Sequence, residues 1–193
     1  MLEVTCPRGS IVMTIEPSQA QDPAQIISVN LLDGTTVTIR PLVTGDFEAV
    51  MALHTDLSAR ETYFRFFTEH PSHLTAMAHS LTHQDDSGCA LGAFEYGQLL
   101  GIVSYGVGEE PFIGEVALVV DHHHHMRGIG SVLLRELARA ALHNGLRRLT
   151  GEVLTNNHMM IEVLGHLGWH SAANSGDSGV ILVSFDLTTC RDL

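Results

Sequence analysis

Residues Ile113 to Ser131 confine the fold more tightly than any other stretch: an apolar run, IGEVALVV, passes through DHHHHMRGIG into a helical repeat. The β-branched residues of Ile113 to Val120 predict a strand, and apolar residues at every third or fourth position from Ile129 to Leu142 predict a helix. Gly128 and Gly130 between them let main-chain amides approach a ligand closely. A strand that ends in a glycine turn and opens a helix presents unpaired N–H groups and the positive end of a helix dipole. Together these favour an anion such as a pyrophosphate. Two phosphate loops are excluded, because no Lys follows Gly130 as the Walker pattern requires and no third glycine completes G-x-G-x-x-G.

The surrounding chain supplies a sheet for this unit. Leu31 to Arg40 reads as a hairpin around Asp33-Gly34, with Thr36 to Pro41 as the first core strand. Asp46 to Thr55 and Ser58 to Phe67 carry helical spacing, with Thr44 and Ser58 as N-caps, and Pro71 to His83 adds a third helix. Cys89 to Tyr96 and Leu99 to Val107 are strands joined at Gly97-Gln98. The helix of residues 127–144 stops at Asn144-Gly145, and Arg148 to Leu154, Asn157 to His166 and Val180 to Leu187 add strand, helix and strand. Antiparallel strands followed by β-α-β elements give an α/β (α+β) fold, a mixed and mostly antiparallel sheet with helices on both faces. Residues 1–30, with Pro7, Pro17 and Pro23, read as a flexible or loosely docked arm, and residues 31–193 as one domain.

Composition narrows the class. Apolar residues make up 45% of the 193 and charged residues 17%, ordinary for a globular chain. No run approaches the roughly 18 consecutive apolar residues of a membrane span, and the first thirty residues lack a charged start followed by a long apolar stretch, so a cytoplasmic location is expected. Cys6, Cys89 and Cys190 are odd in number and far apart, which indicates neither a disulfide framework nor a thiolate zinc site. A net charge of −12 argues against a nucleic-acid partner and is compatible with steering toward cationic amines.

His125 to Gly130 matches [QR]-x-x-G-x-[GA] with His125 where Gln or Arg is usual, and this resembles the coenzyme A pyrophosphate loop of the GNAT superfamily of N-acyltransferases. A strand, Asn157, a helix and Leu167-Gly168-Trp169 follow at about the spacing seen in that superfamily. Thr38-Ile39-Arg40-Pro41-Leu42, Asp46 and the segment SARETYFRFF from Ser58 to Phe67 resemble the opening of Pat-type protein lysine acetyltransferases. The resemblance spans roughly residues 37 to 187. It implies a GNAT-like fold, acetyl-CoA as co-substrate, and an amine acceptor such as a protein lysine, for instance that of an acyl-CoA synthetase, in a monomer or homodimer.

Acyl transfer to an amine needs a base, because a free lysine with a pKa of about 10.4 is mostly protonated at neutral pH. Glu115 lies ten residues before His125, and alternation puts its carboxylate on the face opposite Val116, Leu118 and Val120. A solvated carboxylate at a strand start is the alternative. In Pat-type enzymes a Glu at the matching position acts as general base; Glu109 and Glu110 are substitutes of low rank.

The resemblance further implies that main-chain groups of Leu118, Val119 and Val120 pair with the pantetheine arm. It also implies that amides of His125, Met126, Arg127, Gly128, Ile129, Gly130 and Ser131 hold the pyrophosphate. A strand N–H near Val119 or Val120 would polarise the thioester carbonyl. Asn157 matches an Asn that reaches the pantetheine in many relatives, and equally reads as an N-cap. Leu164 stands where many relatives carry a Tyr as general acid. The Arg127 side chain either shares the pyrophosphate or faces solvent.

Four adjacent imidazoles, His122 to His125, do not easily turn toward one ion, and neither H-E-x-x-H nor a Cys pair supports a site, so no metal is expected. Tyr63, Phe64, Phe66 and Phe67 read mostly as core, with Arg65 among them needing a carboxylate partner. An N-acetyltransferase acting on protein lysine leads. A small-molecule amine acetyltransferase and a non-catalytic coenzyme A-binding sensor stand beside it.

Overall fold

A computed structural model describes residues 26–31, 33–83, 88–172 and 179–189. Residues 1–25 of the expected arm, together with Cys6 and Cys190, lie outside the described residues. The sheet begins at Ile27, inside the segment read as an arm, because β1 (Ile27–Asn30) pairs antiparallel with β2 (Thr36–Pro41). Their connection is the anticipated Asp-Gly turn. Gly34 takes φ +82°, and the Asp33 carboxylate accepts from both the N–H (3.0 Å) and the hydroxyl (2.6 Å) of Thr35.

Three helices follow: α1 (Phe47–Thr55), α2 (Ala59–Phe66) and α3 (Leu74–Thr82). Ser58 caps α2 as predicted, its hydroxyl accepting from the Glu61 N–H while the Glu61 carboxylate returns to the Ser58 N–H, a reciprocal capping box. Thr44 does not cap α1. A 3-10 turn, Thr44–Asp46, precedes that helix, and it is the Asp46 carboxylate that accepts the Val43 N–H (2.8 Å). The same carboxylate grips Arg40 through two bonds of 2.7 Å, and Arg40 lies over the Phe94 ring. Arg40 and Asp46 thus fasten β2 to the start of α1.

The remaining elements are β3 (Gly88–Glu95), β4 (Gln98–Val107), β5 (Ile113–Val120), α4 (Ile129–His143), β6 (Arg148–Leu154), α5 (His158–His166), β7 (His170–Ala172) and β8 (Val180–Asp186). The β3–β4 turn is Tyr96-Gly97, one residue earlier than expected. Both residues take positive φ (49° and 86°), as a two-residue hairpin turn demands, while Gln98 joins the ladder opposite Glu95. β7 was not predicted; three residues are too few to show a period.

The eight strands run in the order β1-β2-β3-β4-β5-β6-β8-β7, antiparallel except for β5 and β6. One apolar core packs α4 and α5 on a face of the sheet, through Leu133, Leu137, Ala141 and Leu164 against Val37, Leu100, Leu149 and Phe185. A second packs α1 and α3 on the other face, through Val50, Leu53, Ala78 and Leu81 against Ala90, Ile102 and Val119. No helix among the described residues is long and apolar enough to cross a membrane.

Candidate active site

Parallel pairing of β5 with β6 covers only Ile113 to Glu115 against Arg148 to Thr150, although the strands continue to Val120 and Leu154. Beyond those three rungs the sheet splits. The edge of β5 exposed by the split is set by alternation along the strand. The Asp121 N–H donates to Leu100 O (2.8 Å) and the Val119 carbonyl lies against Gly101, so both turn toward β4. The Val116 carbonyl lies instead against Gly151 of β6. The main-chain groups of Leu118 and Val120 therefore point into the split, whereas those of Val119 are taken by β4, which corrects its place in the expected set.

At the end of β5 the chain makes a 3-10 turn, His122–His124, capped by Asp121, whose carboxylate accepts the His123 N–H at 2.9 Å. Met126 (φ 62°) and Gly128 (φ 89°) then take left-handed conformations that swing the backbone into α4. The helix starts at Ile129, two residues later than the periodicity suggests, because left-handed Gly128 cannot be a helical residue. Its first closing bond is Val132 N–H to Gly128 O. Among the described residues no main-chain acceptor faces the N–H groups of Met126, Gly128, Ile129, Gly130 and Ser131, whereas that of Arg127 closes the turn through His125 and Met126. A methyl group on Gly130 would meet Leu118 Cδ2 at 3.4 Å, ordinary contact, which explains why the pattern allows Ala there.

The Arg127 side chain is committed elsewhere. It donates from Nε to Asp33 (2.6 Å), from Nη2 to Thr35 Oγ1 (2.5 Å) and Glu95 Oε1 (2.6 Å), and from Nη1 to His124 Nδ1 (2.8 Å). Hydrogen bonds from Thr35, then from Arg127, pull the Asp33 carboxyl down to about 2, and Arg127 lowers that of Glu95. Its guanidinium is held by these partners rather than turned to solvent, and it clamps the cradle to the β1–β2 turn and the end of β3. His125 folds back on its own strand, Nε2 donating to Val120 O at 2.9 Å, with Glu61 Oε1 at 3.7 Å.

Glu115 is exposed on the face it shares with Ala117 and Val119, opposite Val116, Leu118 and Val120, as alternation requires. It stands at the foot of the split, on the last rung with Thr150 and opposite Gly106 of β4. Asn157 caps α5, its side-chain oxygen accepting the Met160 N–H at 3.3 Å, so its carbonyl is occupied and its amide N–H₂ is the group left for a ligand. Leu164 is buried in the core.

The aromatic segment departs from expectation: none of its four rings is fully buried, and Tyr63 (40%) and Phe67 (38%) are exposed. Arg65 sits beside Met77 Sδ and over the Phe66 ring, its Nε without a hydrogen-bond partner among the described residues. Burial lowers its affinity for a proton. Glu61 was missed at this site because no local pattern links it to His122 and His125, which are far along the chain and meet it only in the fold.

Residues 53–169 match the model of the acetyltransferase (GNAT) family. The chain is 27% identical over 165 residues to acetyltransferase Pat of Mycolicibacterium smegmatis, a match covering 83% of this chain and 49% of that protein. It thus spans about half the length of that curated relative. The GNAT domain of S. lividans PAT superposes with a TM-score of 0.76 at 29% identity, covering 89% of this chain and 99% of that one. A cAMP-binding acyltransferase from Mycobacterium smegmatis shares the fold, with a TM-score of 0.59 at 22% identity over 84% of this chain and 47% of that one.

Proposed function

The chain belongs to the acetyltransferase (GNAT) family, and from that premise we propose that it carries an acetyl group from acetyl-CoA to an amine, foremost a protein lysine side chain, with Glu115 as general base. The observation that carries this reading is the split between β5 and β6 ending beside five N–H groups with no main-chain acceptor among the described residues. An extended arm fits alongside an open strand edge, and a diphosphate fits a run of convergent amides at a helix start.

In this reading the amides of Met126 to Ser131 hold the diphosphate, and Leu118 and Val120 pair with the pantetheine. From Glu115 to Val120 the strand rises about 17 Å. An extended pantetheine is roughly 15 Å long, which brings its sulfur to the neighbourhood of Glu115. The bound thioester supplies an activated acyl carbon. Glu115 takes the proton of the incoming ammonium, directly or through water, so that a neutral nitrogen meets that carbon. The Leu118 N–H, turned into the split and nearer Glu115 than that of Val120, is the donor suited to the carbonyl oxygen as it gains charge. With Leu164 buried where many relatives carry a Tyr, the departing thiolate takes its proton from solvent.

Relatives named Pat support a protein lysine as acceptor over a small amine. Incubation of the purified chain with acetyl-CoA and an acyl-CoA synthetase, and separately with a panel of small amines, tests this by mass spectrometry of the products. Acetyl-lysine on the synthetase is expected. Turnover restricted to a small amine would reassign the acceptor, and coenzyme A binding without turnover on any amine would favour the sensor.

A further inference from the structure

We propose that the turn closing β5 is a divalent transition-metal site, with Asp121, His122 and His123 as ligands and Glu61 completing it from α2. One donor atom from each of Asp121, His122 and His123 lies within 4.8 Å of the others. Adjacent side chains on an extended strand point apart, but the 3-10 turn gathers them, and the His122 and His123 rings stand 3.8 Å apart at 40°. The cap that shapes the turn also presets Asp121, whose Oδ1 lies 3.6 Å from His122 Nδ1. Glu61 Oε2 reaches the same nitrogen at 3.6 Å from a different element. Donors around a tetrahedral ion with bonds of about 2.1 Å sit roughly 3.4 Å apart, so small rotations of exposed rings close the site.

Glu61 carries the independent sign of a missing ligand. Its Oε2 accepts from the Ser58 N–H and hydroxyl, but Oε1 is buried with no hydrogen-bond partner among the described residues, the His125 Nε2 standing off at 3.7 Å with its bond given to Val120 O. A buried carboxylate oxygen without a donor is costly, and a nearby cation offsets that cost. An open cleft of about 230 Å³ bordered by Asp56, Gln98, Asp121 and His122 gives an ion access. Two imidazoles with carboxylates suit Zn²⁺ better than Mg²⁺ or Ca²⁺, which favour all-oxygen shells. The expectation of no metal rested on four adjacent histidines failing to converge; two of them suffice once α2 contributes a carboxylate. The ion would tie α2 to the loop leading into the cradle without using any residue from 126 to 131.

Titration of ZnCl₂ into the metal-stripped, untagged full chain by calorimetry tests the site, with thermal melts in parallel. One ion per chain in the micromolar range is expected, with a melting temperature raised by Zn²⁺ and not by Mg²⁺. Asp121→Asn and Glu61→Gln keep all four imidazoles and the capping oxygens, and each weakens binding at least tenfold. The two substitutions lie on separate elements, so one remains decisive if the other unfolds the chain. Unchanged affinity in the folded variants would mean the histidine run alone holds zinc, and would overturn the proposal. So would binding weaker than about 1 mM in the unsubstituted chain.

Discussion

Arg127 grips Glu95 with both terminal nitrogens, Nη2 to Oε1 at 2.6 Å and Nη1 to Oε2 at 3.3 Å, and so pins the loop before α4 to the end of β3. Arg127→Met keeps the length of the side chain and loses this grip together with those on Asp33 and Thr35. The KM for acetyl-CoA is expected to rise on the order of tenfold with a smaller change in kcat, since a shifted cradle misplaces the co-substrate rather than altering the chemistry. Steady-state kinetics checks this; an unchanged KM would show that the cradle holds its shape alone.

Glu115→Gln removes the base and leaves the cradle untouched. Turnover at pH 7.5 is expected to fall by about two to four powers of ten while acetyl-CoA affinity stays within about twofold. Parallel loss of both would place Glu115 in binding.

Gly128 and Gly130 predict opposite outcomes for the same substitution. Gly128→Ala forces a side chain into φ 89° and is expected to cost about 1–2 kcal/mol, with weaker cofactor binding. Gly130→Ala places its methyl in ordinary contact with Leu118 and is expected to bind acetyl-CoA as the parent does. Denaturant melts and calorimetry on the pair distinguish them.

His54, 3% exposed, ties stability to pH. Burial, with the Arg65 cation adding, depresses its imidazole to about 4 against an ordinary 6.5, although the Nδ1 bond to Val50 O (2.8 Å) opposes the shift. The unfolded chain therefore binds a proton that the folded chain refuses. This contribution to stability is intact above pH 6.5, and is lost as the pH falls from there toward 4, by about 2 kcal/mol at pH 5. His54→Leu is expected to flatten the urea-denaturation profile between pH 7.5 and 5; an equally steep variant would point to other groups.

How far the sequence reached depended on the range of the signal. β5, β6 and the cap residues Ser58 and Asn157 follow from local pattern, and their bounds agree with the fold to within a residue. The start of α4 moved because one backbone angle at Gly128, invisible to periodicity, decides it. Arg127 was ambiguous for a deeper reason: its partners Glu95 and Asp33 lie 32 and 94 residues away, and only the packed sheet brings them together. Glu61 was silent for the same reason, since its nearness to His122 and His125 arises only where α2 packs beside the end of β5. The edge of β5 needed register as well as sequence, which is why Leu118 and Val120 separate from Val119 only in three dimensions.

With only three rungs joining β5 to β6, the sheet is two half-sheets hinged at one end, five strands on one side and three on the other. A ligand lying along Leu118 and Val120 acts as a surrogate strand for the first half, and by filling the wedge it braces the second. Occupancy should then be felt as rigidity far from the diphosphate, in slower amide exchange along β6 and β8, so that the ligand serves as a removable piece of the scaffold.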